Sequence, residues 1–235
     1  MDEDYAFKII LVGNTGTGKT SILYNFLNER INPIDISPTI GIDFGTKRIN
    51  MDNKMIKLNL WDTAGLEKYS SITRSYFRNI AGAIIVFDLT NLTSFMKIKN
   101  WYDEIRENSH NKDIQFILVG NKSDLENRIV VNDKEIEELA YRLNIDYVRT
   151  SVIKNHNINF IFEKISLKIL NSCKHINRLQ LIRKNSKNSY TEKCGIRYNH
   201  KTIDSLEFSK PNDNNDDDNH QDDSENKTCG FCIIS

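Results

Sequence analysis

Apolar and polar positions along this chain fall into blocks that switch between a strand period and a helix period. Residues 6–12 (AFKIILV) are nearly all apolar and predict a strand. Residues 21–29 place Ile22, Leu23, Phe26 and Leu27 on one repeating face and predict a helix. Residues 31–39, with Pro33 and Pro38 among polar neighbours, predict a loop. Residues 41–50 and 54–61 predict two strands, with Met51, Asp52 and Asn53 as the hairpin turn between them. A polar, loosely helical stretch covers 66–79. Residues 81–87 (AGAIIVF) form a short run without polar gaps, the mark of a strand buried on both faces of a parallel sheet. A helix is predicted over 94–108, where Phe95, Ile98, Trp101, Tyr102 and Ile105 recur at three and four, with Ser94 as its cap. Residues 115–119 predict another buried strand. Asp133 is the expected cap of a helix reaching 142, residues 145–148 a last short strand, and a final helix runs from 158 past 170.

Strands alternating with helices argue an α/β fold: a three-layer, six-stranded, mostly parallel sheet flanked by helices. From residue 179 the periodicity dies. Basic residues give way to an asparagine–aspartate run over 212–226, too poor in apolar surface to offset its ordering entropy. The division expected is a folded domain over 1–178 and a disordered tail over 179–235.

Composition narrows little. Lysine plus arginine equals aspartate plus glutamate at 32 each, so charge points to no nucleic-acid partner. The acidic start, Met1-Asp2-Glu3-Asp4, and the short apolar run after it do not read as a signal peptide, and no run has the length of a membrane span. The four cysteines, Cys173, Cys194, Cys229 and Cys232, match no zinc spacing.

The chemistry starts at Gly13-Asn14-Thr15-Gly16-Thr17-Gly18-Lys19-Thr20, with Ser21 next, a G-x-x-x-x-G-K-T pattern between a strand and a helix. That context makes it a phosphate-binding loop of the P-loop NTPase kind. Its N–H groups and the helix N-terminus would face one anion, Lys19 would reach the β- and γ-phosphates, and the Thr20 hydroxyl would ligate Mg²⁺. Asp62-Thr63-Ala64-Gly65 follows a strand: its carboxylate would hold Mg²⁺ through water and the Gly65 N–H would sense the γ-phosphate, although Asp62 alone could equally be a strand-end turn residue. Asn121-Lys122-Ser123-Asp124 follows another strand. The Asp124 carboxylate can accept from N1–H and the exocyclic amine of guanine, whereas adenine would leave it unpaired, so GTP and GDP are the expected ligands. These segments, with Thr150 and Ser151, all leave the carboxyl ends of predicted strands, where open α/β sheets bind ligands.

With Ile40-Gly41-Ile42-Asp43-Phe44, residues 57–65 (KLNLWDTAG), 71–78 (SITRSYFR) and 82–90 (GAIIVFDLT) added, the chain resembles the Rab group of Ras-superfamily small GTPases over residues 6 to about 172. The resemblance implies a GTP/GDP switch in vesicle traffic that hydrolyses GTP. It makes Thr39 the first-switch threonine, on Mg²⁺ and the γ-phosphate, and Ile40, Phe44, Trp61 and Tyr76 the surface that meets effectors. It implies effector proteins, an exchange factor, a GTPase-activating protein and prenylation machinery as partners. It also implies residence on the cytoplasmic face of an intracellular membrane, with a cytosolic pool.

Four departures stand out. Leu66 occupies the position of the glutamine that orients the attacking water, so slow hydrolysis, or a GTP-held scaffold that recruits effectors, is expected. Thr15 replaces a glycine of Ras-like chains. Ile31 stands near where an aromatic covers guanine. Thr150-Ser151-Val152-Ile153 replaces the family's T-S-A-K, leaving a Val152 N–H for guanine O6 but no lysine. The chain ends Cys232-Ile233-Ile234-Ser235, a prenylation box, and because one lipid anchors weakly Cys229 is expected to carry a second.

Overall fold

In the computed structural model, residues 3–28, 42–63, 76–182 and 196–198 are described. The first apolar run becomes β1 (Tyr5–Val12), and its side chains sort themselves between two cores. Phe7, Ile9 and Leu11 point to one face, against α1 (Lys19–Leu27) and α5 (Ile158–Ile182). Ile10 and Val12 point to the other, against α3 (Ile98–Asn108) and α4 (Asp133–Leu143). This alternation, the two-residue period of a strand, makes three layers. Within the first core the Phe26 and Phe162 rings stack at 3.9 Å, joining α1 to α5.

The sheet order is β2 (Ile42–Met51), β3 (Lys54–Thr63), β1, β4 (Gly82–Asp88), β5 (Gln115–Asn121), β6 (Asp146–Arg149). β1, β3, β4, β5 and β6 run parallel, and β2 is the antiparallel edge. Every residue of β4 is buried, as its unbroken apolar sequence predicts. β3 alternates instead, with Ile56, Leu58 and Leu60 inside. The hairpin turn is narrower than expected: Met51 still pairs with Lys54, and Asp52 and Asn53 alone turn the chain, at φ 51° and 58°. Two consecutive left-handed residues match the twist of a hairpin, and Asp and Asn tolerate that conformation.

The structure moves several boundaries. Ser94 is not the helix cap. Asn91 is, accepting from the Ser94 N–H, and the segment is broken into α2 (Leu92–Met96) and α3 around Lys97. The Ser94 hydroxyl is buried against the β4 end, where it accepts from the Asp88 N–H at 3.0 Å. Asn132, not Asp133, caps α4, its side chain accepting from the Lys134 N–H at 2.9 Å. In both cases the cap is an asparagine earlier in the chain, three positions before Ser94 and one before Asp133, and either residue type can serve. α5 continues to Ile182, past the expected end of the domain. Inside the span read as tail, β7 (Ile196–Tyr198) pairs antiparallel with Tyr5, Ala6 and Phe7 of β1, short of where β4 begins its pairing at Ile9. The loop over 31–39, most of the loosely helical stretch 66–79 and residues 199–235 lie outside the described residues.

Candidate functional site

Five strands end on one edge of the sheet, at Val12, Thr63, Asp88, Asn121 and Arg149. β1 sits between β3 and β4 there, so the loop it feeds opens at the point where the connections diverge to either side. Gly13 leaves β1 at φ 139°, and a Cβ on it would lie 2.0 Å from the Val86 carbonyl oxygen of β4. Gly18 sits at φ 92°, and a Cβ there would meet Asn121 Nδ2 at 2.4 Å. Any side chain at either position would push the loop off the strands that shape it. Between them Thr15 and Gly16 form the exposed crest, and Thr17 is buried with its hydroxyl donating to the Asn14 carbonyl at 2.9 Å.

Lys19, Thr20 and Ser21 form the first turn of α1. Lys19 is buried, and its Nζ donates to the carbonyl oxygens of Gly13 (2.7 Å) and Asn14 (3.0 Å), which holds the ammonium across the loop. The Thr20 hydroxyl donates to Asp62 Oδ2. Asp62, at the end of β3, is fully buried, and its other oxygen, Oδ1, has no partner among the described residues. Burial pushes the Asp62 carboxyl above the usual carboxylate range; the Thr20 hydroxyl and the Lys19 ammonium oppose that shift, and Asp43 adds to it. A buried carboxylate with one bare oxygen beside a hydroxyl and a helix N-terminus suits a hard cation. Among the described residues no three His, Cys, Asp or Glu side chains gather into a metal site. Thr20 and Asp62 therefore fit Mg²⁺, which is commonly held by one or two protein oxygens with substrate phosphates completing its shell.

The second half of the site is braced to the first. Asn121 ends β5, and its Nδ2 donates to the Thr17 carbonyl at 2.9 Å across 104 residues of chain, while its Oδ1 accepts from the Thr150 hydroxyl at 3.2 Å. One buried amide thus ties the phosphate loop to the loop after β6. Lys122 takes a left-handed φ of 66°, and its Nζ pairs with Asp88 Oδ2 at 2.6 Å. Asp124 Oδ1 accepts from the Ser151 hydroxyl at 2.6 Å, and that hydroxyl oxygen in turn accepts from the Lys154 N–H at 3.0 Å. A fully buried serine so fixes the plane of the partly exposed carboxylate. Val152 packs against the first core, and Ile153 projects into solvent at 66% exposure.

On the β2–β3 face Phe44 stands opposite Trp61 in register, with ring centroids 4.7 Å apart, and Trp61 lies 5.7 Å from Tyr76. Phe44 is half exposed, and Lys8 Nζ sits 5.3 Å above the Trp61 ring. Thr39, Ile40, Gly65 and Leu66 lie outside the described residues, as do Cys229 and Cys232. Two participants were not singled out by the sequence as site residues. Asp88 is the partner of Lys122; a carboxylate closing an otherwise apolar strand at the ligand edge was its one visible sign. Trp101 donates its indole N–H to Asn14 Oδ1 at 3.1 Å, but the sequence shows it only as a helix-core residue.

A profile of the Ras family matches residues 8–171. The chain is 42% identical over 159 residues to the Ras-related protein SEC4 of Saccharomyces cerevisiae, covering 68% of this chain and 73% of that protein. It is 39% identical over 166 residues to the GTP-binding protein ypt3 of Schizosaccharomyces pombe, 71% and 77% of the two chains. It is 38% identical over 165 residues to the Ras-related protein Rab-11B of Dictyostelium discoideum, 70% and 74%.

Proposed function

The chain belongs to the Ras family, in its Rab group, and from that footing we propose that it is a GTP/GDP switch for vesicle traffic that hydrolyses GTP slowly. The observation that carries the guanine reading is the Asp124–Ser151 bond, on the same sheet edge as the phosphate loop and bolted to it through Asn121. In this reading the loop from Gly13 to Thr20 wraps the phosphates with N–H groups, and Lys19 places its ammonium on the β- and γ-oxygens. Thr20 and Thr39 would hold Mg²⁺ directly and Asp62 through water, and the ion would supply neutralisation of the charge that builds on the transferred phosphoryl group. The Gly65 N–H senses the γ-phosphate. Asp124 accepts from the base, and the Val152 N–H donates to guanine O6. Phe44, Trp61, Tyr76 and Ile40 meet effectors when GTP orders the segments around them.

Leu66 sets the speed. Its side chain can neither donate nor accept a hydrogen bond, so the attacking water lacks its usual orienting group. Single-turnover hydrolysis by GTP-loaded protein should rise at least about tenfold in Leu66→Gln, in line with the loss of one positioned hydrogen bond. Equal rates would discard the slow-hydrolysis reading. Adenine nucleotides competing equally with mant-GDP would discard the guanine reading. A GTP-held scaffold is the second reading, favoured by Leu66 alone.

Among the described residues no helix is long and apolar enough to cross a membrane. Membrane residence is assigned to lipid on Cys232 in its C-terminal box, with a second lipid on Cys229. Mass spectrometry of the membrane-bound protein should find both modified, and Cys232→Ser should leave the protein in the cytosol.

A further inference from the structure

We propose that Trp101 is a positioning residue of the phosphate loop, and that the hydrogen bond from its indole to Asn14 sets how long a guanine nucleotide stays bound. This rests on the nucleotide-binding reading above. Trp101 stands on α3, 87 residues from Asn14, and is buried to 6% exposure in the second core beside Ile98 and Ile105. An indole N–H only donates, so the Asn14 amide must turn its oxygen toward the helix. That pins the orientation of a half-buried side chain next to the loop's exposed crest.

The pinned residue is the one on which the loop's own bonds converge. The Asn14 carbonyl accepts from Lys19 Nζ at 3.0 Å, from the Thr17 hydroxyl at 2.9 Å and from the Thr17 N–H at 3.4 Å. A backbone shift at Asn14, which the tethered side chain opposes, would therefore disturb both the lysine and the turn that presents the loop's N–H groups. Asn121 braces the far side of the loop through the Thr17 carbonyl. The loop is thus held between two cross-struts, one from β5 and one from α3. The Gly13 contact with Val86 fixes where the loop starts, so Asn14 is the first residue whose direction a strut must decide.

The test uses full-length protein loaded with mant-GDP and Mg²⁺. Trp101→Phe keeps an aromatic ring in the core and removes the donor; Asn14→Ala removes the acceptor. Each should speed mant-GDP release about tenfold, the equivalent of one neutral hydrogen bond. The double variant should release no faster than the faster single, because both delete the same bond. The protein has two tryptophans, so ¹⁵N labelling gives two indole N–H signals, and Asn14→Ala should move the Trp101 signal while leaving that of Trp61 in place. A purely packing role would lower the melting temperature of Trp101→Phe and leave release and the Trp101 indole signal unchanged in Asn14→Ala, and that pattern would overturn the proposal. If Trp101→Phe does not fold, release from Asn14→Ala and its indole signal decide the matter alone. Wild-type protein that failed to bind mant-GDP would remove the nucleotide reading and this proposal with it. Normal binding with unchanged release in both variants would remove only this proposal.

Discussion

The two ends of the proposed nucleotide site are built on opposite principles. At the base end the described polar side chains answer one another: Asp124 with Ser151, Lys122 with Asp88, Asn121 with Thr17 and Thr150. At the phosphate end Asp62 is fully buried with Oδ1 bare, and burial lifts its carboxyl above the usual range. An unpartnered buried carboxylate oxygen costs stability, so a fold keeps one only where something else compensates it. The base end is therefore a finished receptor that trades hydrogen bonds with its ligand. The phosphate end, among the described residues, is an unfinished one, which in the proposed reading Mg²⁺ and the nucleotide's phosphates would complete.

That contrast can be broken from either side. Lys19→Ala attacks the phosphate end, where in the proposed reading one buried cation would serve several anionic oxygens. It should lower GDP affinity on the order of 10³-fold by titration calorimetry, since charge-assisted bonds are the strong ones; a loss below tenfold would mean the ammonium is only bracing the loop. Asp124→Asn attacks the base end. It should cost on the order of 10²-fold in GDP affinity and narrow the preference for guanine over adenine nucleotides. If the preference survived intact, the carboxylate would not be the selecting group.

Asp62→Asn sharpens the comparison because its sign should depend on conditions. With EDTA and no nucleotide, the variant should melt about 2–4 °C higher than wild type, because a neutral amide is cheaper to bury than a carboxylate. With GDP and Mg²⁺ the order should reverse. Differential scanning fluorimetry without such a crossover would refute the idea that this carboxylate is kept for its ligand.

The smallest effect belongs to a control at the other end of β6. Burial there raises the Asp146 carboxyl, but the Lys168 and Lys164 ammoniums outweigh it and hold the group below its ordinary range. Such a group contributes stability above the unfolded carboxylate value, near 4, and loses it as pH falls through the lower folded value. Asp146→Asn should therefore melt slightly below wild type at pH 7, and the gap should close as pH drops below about 4. A gap of the same size at every pH from 7 down into the acid range would assign the effect to packing. Nucleotide release should not change, since neither end of the site touches this pair.

Much of this was legible from local pattern. The run at 81–87 declared a central strand because nothing polar interrupts it, and the run at 6–12 did so with Lys8 as its one polar residue; β4 came out buried throughout and β1 from Ile9 to Val12. Helix starts were less legible: serine at 94 and aspartate at 133 both look like caps, yet Asn91 and Asn132 hold those positions, because residues that cap equally well in isolation are separated by where the preceding strand or loop delivers the chain. The strand at Ile196–Tyr198 had no periodic context to announce it; a free stretch of the β1 edge is what defines it.

What the sequence determined by itself was the kind of chemistry. Glycines at 13 and 18, a lysine and a threonine after them, and carboxylates at 62 and 124 are residue types that a phosphate, a hard cation and a guanine edge require, and their order is written locally. Only the tertiary structure decided which of these groups are satisfied and which are left waiting. A hydrogen bond across 87 or 104 residues, or an oxygen stranded without one, depends on neighbours brought together by burial, and no stretch of chain carries that information alone.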